Sequence, residues 1–84
     1  MSADDVIVEI ARMTALSADD IEGLKKCSPQ DLAFIMDGYI AMGKVSDRGT
    51  WVLIGEKLKQ VEPYLSVAGA ILAVCSGAWG LARA

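Results

Sequence analysis

From Pro63 to Ala82 the chain reads PYLSVAGAILAVCSGAWGLA, without a charge, between Glu62 and Arg83. No other feature limits the fold as strongly, because so long an uncharged run must be covered by protein or by lipid. A helix rises about 1.5 Å per residue, so Tyr64 to Ala82 would span about 28 Å, close to the ~30 Å hydrocarbon core of a bilayer. The run is not greasy, however. Ten of the nineteen residues from Tyr64 to Ala82 are Gly, Ala or Ser, and only Leu65, Val67, Ile71, Leu72, Val74 and Leu81 are strongly aliphatic. At about −0.3 to −0.6 kcal/mol each, these favour insertion by about 2–4 kcal/mol, and the Gly and Ser residues offset much of that. Gly69, Ala73 and Gly77 recur every four residues, a helix-packing ridge of the kind that lets helix backbones approach closely. Tyr64 and Trp79 fall near the two ends, where aromatic belts sit.

The stretch before this run shares its phase. Trp51, Ile54, Leu58, Val61, Leu65, Ala68, Leu72, Cys75 and Trp79 alternate by three and four, the spacing of a heptad seam. The polar residues Glu56, Lys57, Lys59, Gln60 and Glu62 lie off it. The pattern predicts one long helix from Trp51 to about Ala82, with the nine seam residues as an oligomer interface; over Trp51 to Val61 the other reading is the core-facing stripe of an intramolecular bundle. Pro63 lies inside it and removes a backbone donor, so it either kinks the helix or splits it.

Upstream, a helix start is written three times. Ser2-Ala3-Asp4-Asp5, Ser17-Ala18-Asp19-Asp20 and Ser28-Pro29-Gln30-Asp31 all read Ser-x-x-Asp. Ser2, Ser17 and Ser28 are suited to cap a free backbone N–H, and the acids favour the positive end of the helix dipole. Pro29 falls at the first helical position, where its missing N–H costs nothing. Three helices follow, over roughly 3–15, 18–26 and 29–43. Their apolar faces are Val6, Ile7, Ile10 and Met13; Ile21 and Leu24; and Leu32, Ile35, Met36, Tyr39, Ile40 and Met42. Gly43 ends the third helix, and the next begins at Ser46, Asp47 or Thr50. Phe34, Met36, Tyr39 and Met42 have the makings of a partner groove, but at helical spacing among Leu and Ile the simpler reading is core. Phe34 lies off the main stripe and is the best candidate for contact with another subunit.

The fold class predicted is all-α: an acidic three-helix head over 1–44, a turn over 45–50, an amphipathic helix over 51–62, and an apolar, small-residue-rich helix over 63–84 that is a membrane span or an oligomer core. Residues 1–50 hold nine acids and five bases, and residues 51–84 two acids and three bases. With 54% apolar residues in 84, a single chain has surplus hydrophobicity that oligomerisation or a membrane would use.

Several chemistries are disfavoured. There is no His, which removes the commonest general base and metal ligand. Cys27 and Cys75 form no Cys-x-x-Cys pair, and a reducing compartment fits them best. Asp4-Asp5 and Asp19-Asp20 sit at helix starts, where capping alone accounts for them. No phosphate loop is present, and Gly49-Thr50 lacks the glycine spacing and lysine of one. The second and third helices are laid out like a helix-turn-helix, but a net charge of −3 would repel phosphates, so no nucleic-acid partner is expected. No enzyme activity, cofactor or metal is expected.

The function expected from sequence is a non-enzymatic, self-associating helical protein with a membrane-insertable C-terminal helix. An acidic start does not read as a signal peptide. Lys44, Arg48, Lys57 and Lys59 precede the apolar run and Arg83 follows it, which places the head on the cytoplasmic side of a membrane. In layout alone such a chain is similar to small phage holins and other pore-forming or membrane-remodelling effectors; no motif residue carries a family. The alternatives are a soluble structural subunit of a ring, filament or virion, with the apolar helix buried between protomers, and a small adaptor that binds a protein partner through the acidic head.

Overall fold

A computed structural model describes residues 2–77. The described residues are all-α, with five helices and one 3-10 turn: α1 (Ala3–Met13), α2 (Ala18–Leu24), α3 (Pro29–Ala41), α4 (Arg48–Leu58), the turn Glu62–Tyr64, and α5 (Leu65–Ser76).

Each of the first four helices begins on a side-chain cap. The hydroxyl of Ser2 accepts from the Asp5 N–H at 3.2 Å, and that of Ser28 from the Asp31 N–H at 3.2 Å. At Ser17 the exchange is reciprocal: Asp20 N–H donates to the Ser17 hydroxyl at 3.1 Å, and Ser17 N–H donates to the Asp20 carboxylate at 3.0 Å. Asp47 caps α4 by accepting from the Thr50 N–H at 2.9 Å. α3 stops at Gly43, whose φ of +79° only glycine adopts without strain. There Lys44 N–H reaches the Tyr39 carbonyl at 2.9 Å and Gly43 N–H the Ile40 carbonyl at 3.0 Å, the paired bonds of a Schellman stop.

Of the two outcomes expected at Pro63, a kink or a split, the structure shows the split, so no single long helix runs on from Trp51. α4 ends at Leu58 and Val61 is extended, with φ −122° and ψ 120°. The 3-10 turn follows with Pro63 inside it. Pro63 has no N–H to donate, its ring would collide with the Lys59 carbonyl, and it disfavours a helical Glu62. The chain then reverses. Cys75 Sγ near the end of α5 lies 3.8 Å from the Arg48 carbonyl at the start of α4, so α4 and α5 form an antiparallel hairpin. α5 ends at Gly77, with φ +81°. Residues 78–82 of the expected helix, Trp79 among them, lie outside the described residues.

The hairpin also corrects the heptad phase. Trp51, Ile54, Leu58 and Val61 are buried in α4 and just beyond it. Past the turn the buried positions are Tyr64, Val67, Ala68, Ile71 and Val74. Of the expected seam only Ala68 is among them; Leu65 is 49% exposed, and Leu72 and Cys75 are half-buried. The extended Val61 and the tight turn shift the inward stripe by one residue, so that it faces back onto α4.

The two helices cross closely at Gly55. A Cβ there would lie 2.9 Å from Leu72 Cδ2, 3.0 Å from Leu72 Cγ and 3.2 Å from Ile71 Cγ2. The expected packing ridge is arranged differently. Gly69 is exposed with nothing within 4 Å of its missing side chain, Ala73 is half-buried, and Gly77 is the stop of α5.

The helices upstream share the same core. Val6, Ile10, Leu16, Ile21, Leu24, Leu32, Met36 and Val45 join the α4–α5 residues in one buried cluster with no buried charge among the described residues. Trp51 is its largest member and stacks on Tyr39, with ring centroids 6.2 Å apart. Its indole N–H has no hydrogen-bond partner among the described residues, a cost of about 1–3 kcal/mol that the burial of the whole ring opposes.

The glycines separate the two packing sites cleanly. Gly55→Val is expected to lose about 1–3 kcal/mol by overpacking the crossing. Gly69→Ala is expected to gain about 0.5–1 kcal/mol from helix propensity alone. Urea unfolding of both variants against wild type measures this, and a Gly55→Val protein as stable as wild type would contradict the close crossing.

Candidate interaction surface

α3 buries a narrow stripe. Leu32 and Met36 point inward, Ala33, Ile35, Tyr39 and Ile40 are half-buried, and Phe34 and Met42 stand out at 83% and 65% exposure. Met42, expected on the inward face of the third helix, is corrected by this: it is the C-cap residue, one position past the last turn, where the chain departs for Lys44 and Val45. Phe34, Gly38 and Met42 are four apart and therefore lie in one row. With Ile35 and Tyr39 they line a shallow, almost wholly apolar depression. Nothing lies within 4 Å of the position a Gly38 Cβ would take. The other exposed large apolar residues are Val8 on α1, Val52 and Leu53 on α4 and Leu65 on α5; of these Val8 borders a depression, which it shares with the charged Asp5, Glu9 and Arg12.

Polar contacts fix this face. The Tyr39 hydroxyl donates to Asp20 Oδ1 at 3.4 Å, while Lys44 Nζ lies 3.3 Å from Asp20 Oδ2 and 5.5 Å from the Tyr39 ring centroid. Asp20 thus receives Ser17 N–H, Lys44 and Tyr39, and ties the start of α2 to the end of α3. The Ser17 backbone N–H, and then Lys44, hold its carboxyl below the usual 3.8. Burial, and then the Asp20 charge, push the Tyr39 phenol up. On the rim, Arg48 pairs with Asp37 at 3.4 Å, both exposed.

A second tie closes the hairpin turn. The Tyr64 hydroxyl donates to Glu22, and Lys25 Nζ sits 4.4 Å from the Tyr64 ring centroid. Burial, and then the Glu22 hydrogen bond, push the Tyr64 phenol up to about 12. Glu9 and Lys57 link α1 to α4 at 2.7 Å.

The residues expected to form an oligomer seam are not gathered on one outer surface. Trp51, Ile54, Leu58, Val61 and Ala68 lie inside the chain's own core, Leu65 is half-exposed, and Leu72 and Cys75 are partly covered. Cys75 is raised in pKa by burial. Phe34 is where its position off the apolar stripe suggested, and Gly38, unremarked in the sequence, is the small residue at the centre of the row. No protein-family model, curated protein or solved structure matches the chain.

Asp20 gives a pH prediction. Its folded-state pKa lies below its unfolded value near 3.8, so its stabilisation is complete above that value and is lost as pH falls through the folded-state pKa. Asp20→Ala is expected to lose about 1–2 kcal/mol near neutral pH through the missing cap and ion pair. The gap to wild type should close as the pH is lowered to about 2. Thermal unfolding of the two proteins across this range measures it; a gap that persists unchanged would contradict the role of the carboxylate.

Proposed function

We propose that this chain is a non-catalytic helical interaction module that works by docking protein on the outer face of α3. The observation that carries the reading is the exposure of Phe34, 83% open to solvent on an ordered helix beside an apolar depression. Phe34 and Met42, two helical turns apart on one depression, put apolar surface together on one face, the kind of patch that marks contact sites. The reading keeps the protein-binding class expected through the head over 1–44, and for self-association it moves the interface from the seam beginning at Trp51 to α3.

A lipid-inserting role for the C-terminal helix has less support. α5 has twelve residues, and Val67, Ala68, Ile71 and Val74 already cover the core. Insertion would uncover Trp51, Ile54 and Leu58. Among the described residues no helix is long and apolar enough to cross a membrane.

A photo-crosslinking amino acid tests the reading in cells that express the chain. Benzoylphenylalanine replaces Phe34, which is largely open to solvent, and Gln60, exposed in the turn after α4, serves as control. Protein adducts that form from position 34 and not from position 60 are expected. Adducts with lipid alone, or none above the control, would overturn the docking role.

A further inference from the structure

We infer that the partner of the α3 face is a cationic amphipathic segment of another protein, seated with an arginine over Phe34 and against Asp31; the inference deepens the docking role of α3 and rests on it. α3 carries two acids, Asp31 and Asp37, and no base. Phe34 stands between them, three residues from each, so each acid neighbours the ring on the helix surface. Both acids are exposed, as is Phe34. The face therefore joins an open aromatic ring, an apolar depression and two solvated carboxylates.

The bases nearby leave one of these acids uncompensated. Lys44 pairs with Asp20 at 3.3 Å, and Arg48 with Asp37 at 3.4 Å. Asp31 has no ion pair among the described residues. The Arg48–Asp37 pair is exposed on both sides, and such a pair is weak enough to share its carboxylate. The chain as a whole carries −3. An incoming cation is thus drawn to the Asp31 end of the depression, away from Lys44 beside Tyr39. Arginine suits the site better than lysine. Its planar guanidinium stacks on an aromatic face and still presents N–H donors to a carboxylate. The apolar part of the partner falls on the depression between Phe34 and Met42, where Gly38 adds no side chain. Apolar residues along one face of a partner helix fit such a row. A second copy of this chain fits less well, because it brings the same acids and the same net charge.

Peptides of about five helical turns, labelled at one end, probe the full chain by fluorescence anisotropy. Two carry leucines along one face, with arginine at the remaining positions of one and glutamate at those of the other. A third scrambles the arginine peptide, so that its charge is kept and its leucine face is lost. The arginine peptide is expected to bind about tenfold more tightly than either control, and less tightly as salt is raised. Phe34→Ala is expected to weaken it about tenfold. Asp31→Asn is expected to weaken it about threefold, and Asp5→Asn, the same change of charge on α1, to leave it unchanged. Equal binding of the arginine peptide and either control would overturn the inference, as would equal effects of Asp31→Asn and Asp5→Asn. If the arginine peptide fails to bind while position 34 still gives protein adducts in cells, the docking role stands and the cationic partner falls. If the adducts fail as well, both fall.

Discussion

The fold depends on one reversal. Between Leu58 and Leu65 the chain gives up helical geometry at an extended Val61, passes Pro63 and returns as α5. That reversal turns an uncharged stretch into the covering of the chain's own core. It sets Ile71 and Leu72 against Gly55, and that crossing shields Trp51, Ile54 and Leu58. The small residue at the crossing is Gly55 of α4, and α5 brings the larger Ile71 and Leu72 to it. Of the small residues in α5 only Ala68 is buried.

Around this hairpin the polar contacts act as ties between elements. Tyr64, in the turn itself, reaches α2 through Glu22 and lies under Lys25. Asp20, on the same short helix, holds Tyr39 and Lys44. α2 has only seven residues and would be marginal alone; anchored at both ends it joins the turn to α3. α3 in turn is held by Leu32, Met36 and the Tyr39–Trp51 stack, which leaves Phe34, Gly38 and Met42 outward on a fixed scaffold. The face proposed for docking is therefore positioned by the core.

Local chemistry is more legible in the sequence than long-range geometry. Helix starts are written in three or four residues: a hydroxyl or carboxylate, then an N–H two or three positions on, as at Ser2, Ser17 and Ser28. The all-α class and the exposure of Phe34 follow from periodicity of comparable range. The phase of the C-terminal half does not. Trp51 through Cys75 keep a three-four alternation across Pro63, and nothing in that alternation records the extended Val61. The true inward stripe, Tyr64, Val67, Ala68, Ile71 and Val74, is one residue out of step and is as apolar as its neighbours, so hydropathy alone cannot tell the two apart. Gly55 escapes a sequence reading for a related reason: its role is set by Ile71 and Leu72, sixteen and seventeen residues away. Met42 falls in the predicted core because the periodicity runs one residue past the point where Gly43 turns the chain.

The most direct measurement is of the α4–α5 hairpin in solution. Nuclear Overhauser contacts from the Gly55 Hα protons to the Ile71 and Leu72 methyl groups are expected, together with a loss of helical contacts between residues 58 and 65. Unbroken helical contacts from Leu58 through Ala68, with none between Gly55 and those methyls, would mean one continuous helix and would contradict the account.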